Sequence, residues 1–308
     1  MWRTPLLMLS FKNHPYQQLT ERDVQAVLSV YKHKYLTTSQ IQTLHFPSET
    51  TCNRRLRRLI QHGYLKPFTI LNVPERLFTL TRAGAELVAG TQGITVEELL
   101  WSPSPKVPKD HYFMRHFVSL NDFRIAITQA TEHSPVRLLG FIPEYYGGQR
   151  HSSGRVTKYI RDVVFDVANP RVQISHSPDA VLSLEKNGKP ALFFLEIDRG
   201  TEPLSNPERG VLKMLRFYLS FHTSGNFKGY AEDFGVSAYT SFRTLIVTTS
   251  PKRIENMQAS ATRNLPESLQ RGLKLIWVAP TTYINSQTIL SPFWKSLFSS
   301  DSRMYKLG

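Results

Sequence analysis

Three carboxylates lie close together in the sequence, in a pattern that fits metal-assisted chemistry. Asp179 follows Ser177-Pro178 at the start of one apolar run, and Glu196 and Asp198 lie two apart near the end of the next. Side chains two apart on a strand share one face, and neighbouring strands are about 5 Å apart. Hard cations such as Mg²⁺ prefer oxygen ligands, and a phosphodiester can complete the shell. The spacing therefore predicts a Mg²⁺ site built from Asp179, Glu196 and Asp198.

The same acids also allow a structural interpretation. An aspartate at the start of a strand can cap a turn through its side chain. Acids at strand ends can instead pair with a nearby guanidinium, and Arg199 and Arg161 are the candidates. Both interpretations stay open at this point.

The arrangement of these acids, across two strands with a helix before and a helix after, resembles the PD-(D/E)xK nuclease core. The resemblance implies that Asp179 and Glu196 are the two metal-binding acids. It also implies a lysine two residues past the second acid, where this chain has Asp198, which cannot supply a positive charge. Lys213 or Lys158 would then replace that lysine from elsewhere. The candidate catalytic residues of a Mg²⁺-dependent DNA endonuclease are Asp179, Glu196, Asp198 and Lys213.

A second chemical signal is a predicted helix from Glu49 to His62. At 100° per residue its apolar face collects Cys52, Leu56, Leu59 and Ile60. Its opposite face collects Thr50, Arg54, Arg57, Arg58 and Gln61. Arginine can bond guanine edges or phosphates, glutamine can bond adenine, and threonine can do either. We expect this face to contact double-stranded DNA; the alternative is a charged face that is only solvated.

The elements around this helix form a recognisable order. Two helices precede it, the first capped by Thr20. Two extended segments follow, Tyr64 to Leu71 and Arg76 to Leu80, and predict a hairpin on which Arg76 would follow a phosphate. A further helix comes after the hairpin. From Leu19 to Val88 this order resembles bacterial winged helix-turn-helix DNA-binding domains.

Composition favours a polyanionic partner. The 308 residues carry a formal charge of +14, with twelve Lys and Arg against five Asp and Glu in residues 1–90. Such a balance concerns association and not fold. The alternative is a basic protein that is merely soluble or that docks on anionic lipid. A single cysteine, Cys52, allows no intramolecular disulfide, and no apolar stretch is long enough for a membrane span. We expect a cytoplasmic protein that does not associate with membranes.

One domain boundary is visible. Residues 101–109 read WSPSPKVPK, in which alternate prolines fit neither a helix nor a central strand. This predicts a winged-helix domain at 1–100, a linker at 101–109 and a nuclease-like domain at 110–308.

The larger domain reads as helices alternating with strands. The predicted helices are His111 to Glu132, Pro207 to His222 and Ile254 to Arg263. The predicted strands are Val136 to Ile142, Tyr159 to Val167, Asp179 to Leu184, Ala191 to Ile197, Thr244 to Thr249 and Leu273 to Val278. This order predicts a mixed sheet flanked by helices, so the whole chain is α+β in class.

The complete layout resembles the replication-relaxation proteins of plasmids and mobile elements. The matching features are the winged helix ending in Leu80-Thr81-Arg82-Ala83-Gly84, the long histidine-containing helix, and the segment from Pro178 to Tyr218. The resemblance implies DNA binding in replication control or maintenance, with other proteins of a replication or mobile-element complex as further partners.

Three functions remain open on the sequence. The first is a DNA-binding regulator whose nuclease-like domain does not cut, and the altered lysine position favours it. The second is a Mg²⁺-dependent endonuclease targeted by the winged helix, which the Asp179 and Glu196 pair favours. The third is a protein-interaction adaptor, which the arginine-rich helix face argues against. The sequence gives neither the DNA site nor the oligomeric state.

Overall fold

The computed structural model of the chain describes residues 19–70, 73–99, 101, 103, 111–145, 147–150, 156–158 and 160–308. These residues divide into two compact units that meet in sequence between Val118 and Ser119. No helix in the described ranges is both long enough and apolar enough to cross a membrane.

The first unit is a winged helix-turn-helix. Its elements are α1 Glu21–His33, β1 Leu36–Thr37, α2 Thr38–His45, α3 Glu49–Gln61, β2 Leu65–Phe68, β3 Leu77–Leu80 and α4 Arg82–Gln92. The strands form a small antiparallel sheet in the order β1-β3-β2, so β2 and β3 are the predicted wing.

Local chemistry explains where these helices begin. Thr20 forms a capping box with Asp23 at the start of α1, and Thr37 forms one with Gln40 at the start of α2. The Ser48 side chain accepts from the backbone N–H of Thr51 to cap α3. Such caps satisfy amide groups that have no partner within the helix. The predicted cap of α1 at Thr20 and the predicted start of α3 at Glu49 are therefore observed.

Helix α5, His111–Glu132, continues from the first unit into the second. Within the first unit the ring of Phe117 packs edge-on against Tyr35 at 5.2 Å, and the Gln40 amide donates to the Val118 carbonyl at 3.0 Å. Most of the predicted linker at 101–109 lies outside the described residues. The domain limits at 100 and 110 therefore stay predictions.

The second unit contains a mixed sheet. Its remaining elements are β4 Val136–Pro143, β5 Gly147–Arg150, β6 Val156–Lys158, β7 Asp162–Asp166, β8 Asn169–His176, β9 Ala180–Lys186, β10 Lys189–Ile197, α6 Val211–Ser224, α7 Tyr230–Asp233, β11 Phe242–Thr248, α8 Pro251–Asn264, α9 Glu267–Gln270, β12 Ile276–Pro280, β13 Trp294–Ser296 and β14 Met304–Tyr305. Seven strands pair in the order β14-β13-β12-β11-β10-β9-β4. Strands β10, β11 and β12 are parallel, and the other pairs are antiparallel.

Helices cover both faces of this sheet. On one face α6 and α8 bury apolar side chains against β9 to β12, with Phe194, Tyr218 and Phe242 among the largest. On the other face α5 packs Phe123 and Ile127 against the opposite side chains of the same strands. The predicted fold class, an α+β chain with a winged helix and a mixed sheet, is confirmed.

Several boundaries of the second unit differ from the prediction; α8 begins at Pro251 instead of Ile254, and β12 spans Ile276–Pro280 instead of Leu273–Val278. The strand predicted from Tyr159 spans Asp162–Asp166, and it pairs with β8, for which the sequence predicted no element. The helix predicted from Pro207 begins at Val211. Its N-cap Gly210 has φ 72°, which is not a helical backbone conformation, so the helix cannot extend back through this residue to Pro207.

Candidate nucleic-acid interface and acidic site

Helix α3 separates its side chains as the sequence predicted. Cys52, Leu56 and Leu59 are buried, so this side of the helix is fixed in the core of the winged helix. All five predicted DNA-contacting residues of the helix are exposed, namely Thr50, Arg54, Arg57, Arg58 and Gln61. Arg76, which directly precedes β3 of the wing, is exposed as well.

The arginines of the exposed face carry charge that no acid neutralises. Within the described residues, Arg54, Arg57 and Arg58 form no ion pair. The only acid of α3 is Glu49 in its first turn, where it accepts from the Asn53 amide. The helix therefore presents an uncompensated positive surface.

Arg55 belongs to the same run but has a different position. Its guanidinium bonds both carboxylate oxygens of Asp23, with Nε to Oδ1 at 2.7 Å, and Asp23 is 1% exposed. The sequence analysis missed this pair. The capping box at Asp23 signalled an ordered carboxylate, but nothing in the spacing linked two residues that are 32 positions apart.

In the second unit, Asp179 and Glu196 lie beside each other across the β9–β10 pair. The backbone N–H of Asp179 donates to the Leu195 carbonyl at 3.0 Å, directly before the paired residues Ala180 and Leu195. The Asp179 side chain uses Oδ2 to accept the backbone N–H of Ile197 at 2.7 Å. The predicted approach of the first two acids is thus present.

Glu196 is enclosed by two donors that the sequence analysis did not select. Its Oε1 lies 2.6 Å from His176 Nε2 on β8, and the Tyr218 hydroxyl on α6 donates to the same oxygen. Burial raises the pKa of Glu196, although His176 opposes this. Burial alone would lower the pKa of His176, but the charges of Glu196 and Asp179 raise it above its ordinary value. The geometry favours a proton shared between imidazole and carboxylate.

Asp198 lies on the same side of the sheet as Glu196 but faces a different helix. Arg253 of α8 holds it in a two-bond ion pair, with Nε to Oδ2 and Nη2 to Oδ1 both at 3.0 Å. The Thr248 hydroxyl donates to Oδ2 at 2.6 Å, and the Gly200 N–H donates to Oδ1. Four hydrogen bonds therefore occupy this carboxylate. Of the two interpretations of Asp198, this arrangement is the structural one, with Arg253 as the partner instead of Arg199 or Arg161.

Of the two lysines predicted to replace the motif lysine, the structure describes the side chain of Lys213. Lys213 on α6 is half-buried, and its charge lowers the pKa of His176, which places it near the acids. Its neighbour Arg216 pairs with the buried Asp166 of β7. The side chain of Lys158 lies outside the described part of the chain.

The residues present do not fit a Mg²⁺ ion held by three carboxylates. Asp198 is bound by Arg253, and one oxygen of Glu196 is taken by His176 and Tyr218. In the part of the chain that the structure describes, no group of three or more His, Cys, Asp or Glu side chains is placed to hold a metal ion. The order of strands explains this, because β11 leads into α8 and so carries Arg253 to the end of β10.

Among solved structures the chain is similar to a mutant of MarR from E. coli complexed with operator DNA (18% identity, TM-score 0.24, 27% of this chain and 61% of that one). It is also similar to MepR, a transcription regulator of the Staphylococcus aureus multidrug efflux pump MepA (20% identity, TM-score 0.24, 27% of this chain and 62% of that one). A third similar structure is restriction endonuclease FokI bound to DNA (13% identity, TM-score 0.26, 85% of this chain and 43% of that one). The chain spans less than two thirds of the length of each of these proteins.

The family of this chain is shown by its match to a family model. No match was found among curated proteins. The family model described as replication-relaxation matches residues 28–236, which include α3, the wing and the strands that carry Asp179 and Glu196. Because the match extends over about two thirds of the sequence, the chain belongs to the replication-relaxation family.

Proposed function

We propose that this protein binds double-stranded DNA through the exposed face of α3, and that it acts in the replication control or maintenance of a plasmid or mobile element. The observation that carries the proposal is the uncompensated arginine face of Arg54, Arg57 and Arg58 on a helix whose other side is buried. A helix with this division can enter the major groove while its apolar side stays in the domain core.

Three further features support this proposal. The Arg55–Asp23 pair connects α3 to the start of α1, so the exposed face has a fixed orientation. Arg76 is exposed next to the wing strand β3 and could bind a phosphate beside the groove. Membership of the replication-relaxation family is consistent with DNA as the partner.

The proposal is tested by binding of the full-length protein to a fluorescent duplex, followed by anisotropy over a range of salt concentrations. Arg54→Ala and Arg58→Ala should each weaken binding about 5-fold or more, because each removes a base or phosphate contact. Each should also reduce the slope of log affinity against log salt by about one. Arg263→Ala, an exposed arginine on α8, is the matched control. Unchanged affinity in both α3 variants would refute this placement of the interface.

A metal-dependent endonuclease is the second candidate. The neighbouring Asp179 and Glu196, with Lys213 close by, favour it. The engagement of Asp198 by Arg253 argues against it, because that carboxylate would have to leave four hydrogen bonds to bind a metal. We therefore propose DNA binding without cleavage as the function of this chain.

A further inference from the structure

The β7–β8 hairpin is an exposed ribbon that the function proposed above does not use. Among the described residues, its two strands pair only with each other and not with the seven-stranded sheet. Side chains on its inner face fix it to the domain. Val164 and Ile174 are buried in the core beside α6, and the Val167 N–H donates to the Ser220 hydroxyl at 2.9 Å. The ribbon is thus a rigid part of the unit.

Its outer face is apolar where solvent would favour polar side chains. Phe165 is 60% exposed, and Val163, two positions before it on the same face of the strand, is 49% exposed. The cross-strand neighbours of Phe165 and Val163 are Gln173 and Ser175. A cluster of exposed apolar side chains marks an interaction surface more often than chance exposure does.

The charges on this ribbon indicate which kind of partner its outer face can bind. Arg161 and Arg171 are exposed, whereas its two acids are withdrawn from the surface. Asp166 is fully buried against Arg216, and Asp162 accepts from the Tyr230 hydroxyl at 2.7 Å. The outer face therefore carries only positive charge. In a chain of formal charge +14, such a face disfavours a second copy of the same chain and favours a polyanion.

We infer that the outer face of the β7–β8 hairpin is a second contact surface for double-stranded DNA. The inference rests on the proposed function, since it assumes a protein that binds duplex DNA. A two-stranded ribbon fits the major groove. There Arg161 and Arg171 bond phosphates or guanine edges, Gln173 bonds adenine, and Phe165 contacts thymine methyl groups.

The test uses the full-length protein with a fluorescent duplex of random sequence. Phe165→Ala and Arg171→Ala change exposed side chains, so thermal melting should be unaltered. Phe165→Ala should weaken binding about 5- to 10-fold at constant salt slope, because it removes an uncharged contact. Arg171→Ala should weaken binding and lower the slope by about one. The matched controls are Met304→Ala, which removes an apolar side chain that is 51% exposed, and Arg263→Ala.

The outcomes separate this inference from the proposed function. If the wild-type protein binds no duplex, the proposed function itself fails. If Arg54→Ala weakens binding while Phe165→Ala and Arg171→Ala do not, only the hairpin inference is overturned. A photo-crosslinking residue at position 165 gives a direct readout: attachment to DNA supports the inference, and attachment to a second copy or to another protein overturns it.

Discussion

Two arginines on α3 show that the surroundings of a residue determine whether its side chain is paired or exposed. Arg55 and Arg57 are two positions apart in the same run. Arg57 is exposed, whereas Arg55 bonds both oxygens of the buried Asp23. A guanidinium in a two-bond pair is fixed in position, but an exposed one remains available to a ligand. The same residue type is therefore fixed in an ion pair at position 55 and exposed to solvent at position 57.

This difference gives a prediction for Arg55→Ala. The substitution leaves the Asp23 carboxylate buried without its guanidinium, which should lower the free energy of unfolding of the winged helix by about 3 kcal/mol. Cys52 reports on this directly, because it is the only cysteine of the sequence and lies on the buried face of α3, where burial raises the pKa of its thiol to about 11. A loss of about 3 kcal/mol raises the population of the opened domain, in which the thiol is accessible, about 100-fold. Labelling of the variant with Ellman's reagent should therefore be about 100-fold faster than labelling of the wild type.

Arg57→Ala is the control for that measurement. It removes an exposed side chain, so stability should change by less than about 0.5 kcal/mol and the labelling rate should stay that of the wild type. Equal labelling of both variants would mean that the Arg55–Asp23 pair contributes nothing to the stability of the domain.

Glu196 and Asp198 show the same effect in the second unit. The two-residue period of a strand predicted that they share a face, and both do lie on the side of α6 and α8. Their partners nevertheless diverge, because Glu196 contacts His176 and Tyr218 while Asp198 contacts Arg253. Strand periodicity fixes the direction of a side chain, but the neighbouring helices decide what it meets.

At the scale of elements, the start of α6 depends on one glycine. Gly210 has φ 72°, and a Cβ atom there would lie 2.3 Å from the Pro203 carbonyl oxygen. That carbonyl also accepts the backbone N–H of Val211, the first residue of the helix. The loop that leads from β10 to α6 is therefore closed by a contact that only glycine permits.

We expect Gly210→Ala to lower the free energy of unfolding by about 2 kcal/mol or more, because the chain must both adopt a strained φ and move away from Pro203. Denaturant unfolding followed by circular dichroism measures this. Gly229→Ala is the control, since its Cβ would have nothing within 4 Å and its φ of −59° is ordinary. A loss of stability at Gly229 equal to that at Gly210 would contradict the steric argument.

The whole molecule joins a winged helix to a mixed-sheet domain in one basic chain. The net charge of +14 is spread over both units, so electrostatic attraction to a polyanion does not depend on α3 alone. Duplex binding by such a protein should weaken steeply as salt rises, because bound phosphates release their counterions.

The acid cluster leads to a prediction for the intact protein on supercoiled plasmid. We expect no nicking with Mg²⁺ or Mn²⁺, since Asp198 is held by Arg253 and Glu196 by His176 and Tyr218. Agarose gels of plasmid incubated with and without each metal measure this. The control is the Asp179→Ala/Glu196→Ala double variant. Metal-dependent nicking by the wild type that disappears in this variant would establish the endonuclease instead.

Short-range patterns alone predicted much of this fold. The two faces of α3, the capped helix starts and the full span of α5 follow from helical period and capping chemistry, which act over a few residues. The two strands of the β9–β10 hairpin were predicted from similar short-range patterns. The turn residues Asn187 and Gly188 both adopt positive φ, as a two-residue hairpin turn requires.

Only the tertiary structure decided the partners of the candidate site. His176, Tyr218 and Arg253 reach the acids from β8, α6 and α8, over separations of 20, 22 and 55 residues. The β7–β8 ribbon and its exposed Phe165 likewise depend on which strands join the main sheet. The sequence by itself thus determined the longer helices, most strands of the central sheet and the arginine face of α3. The packing order of strands and helices determined which charges meet, because those contacts join residues whose spacing carries no periodic signal.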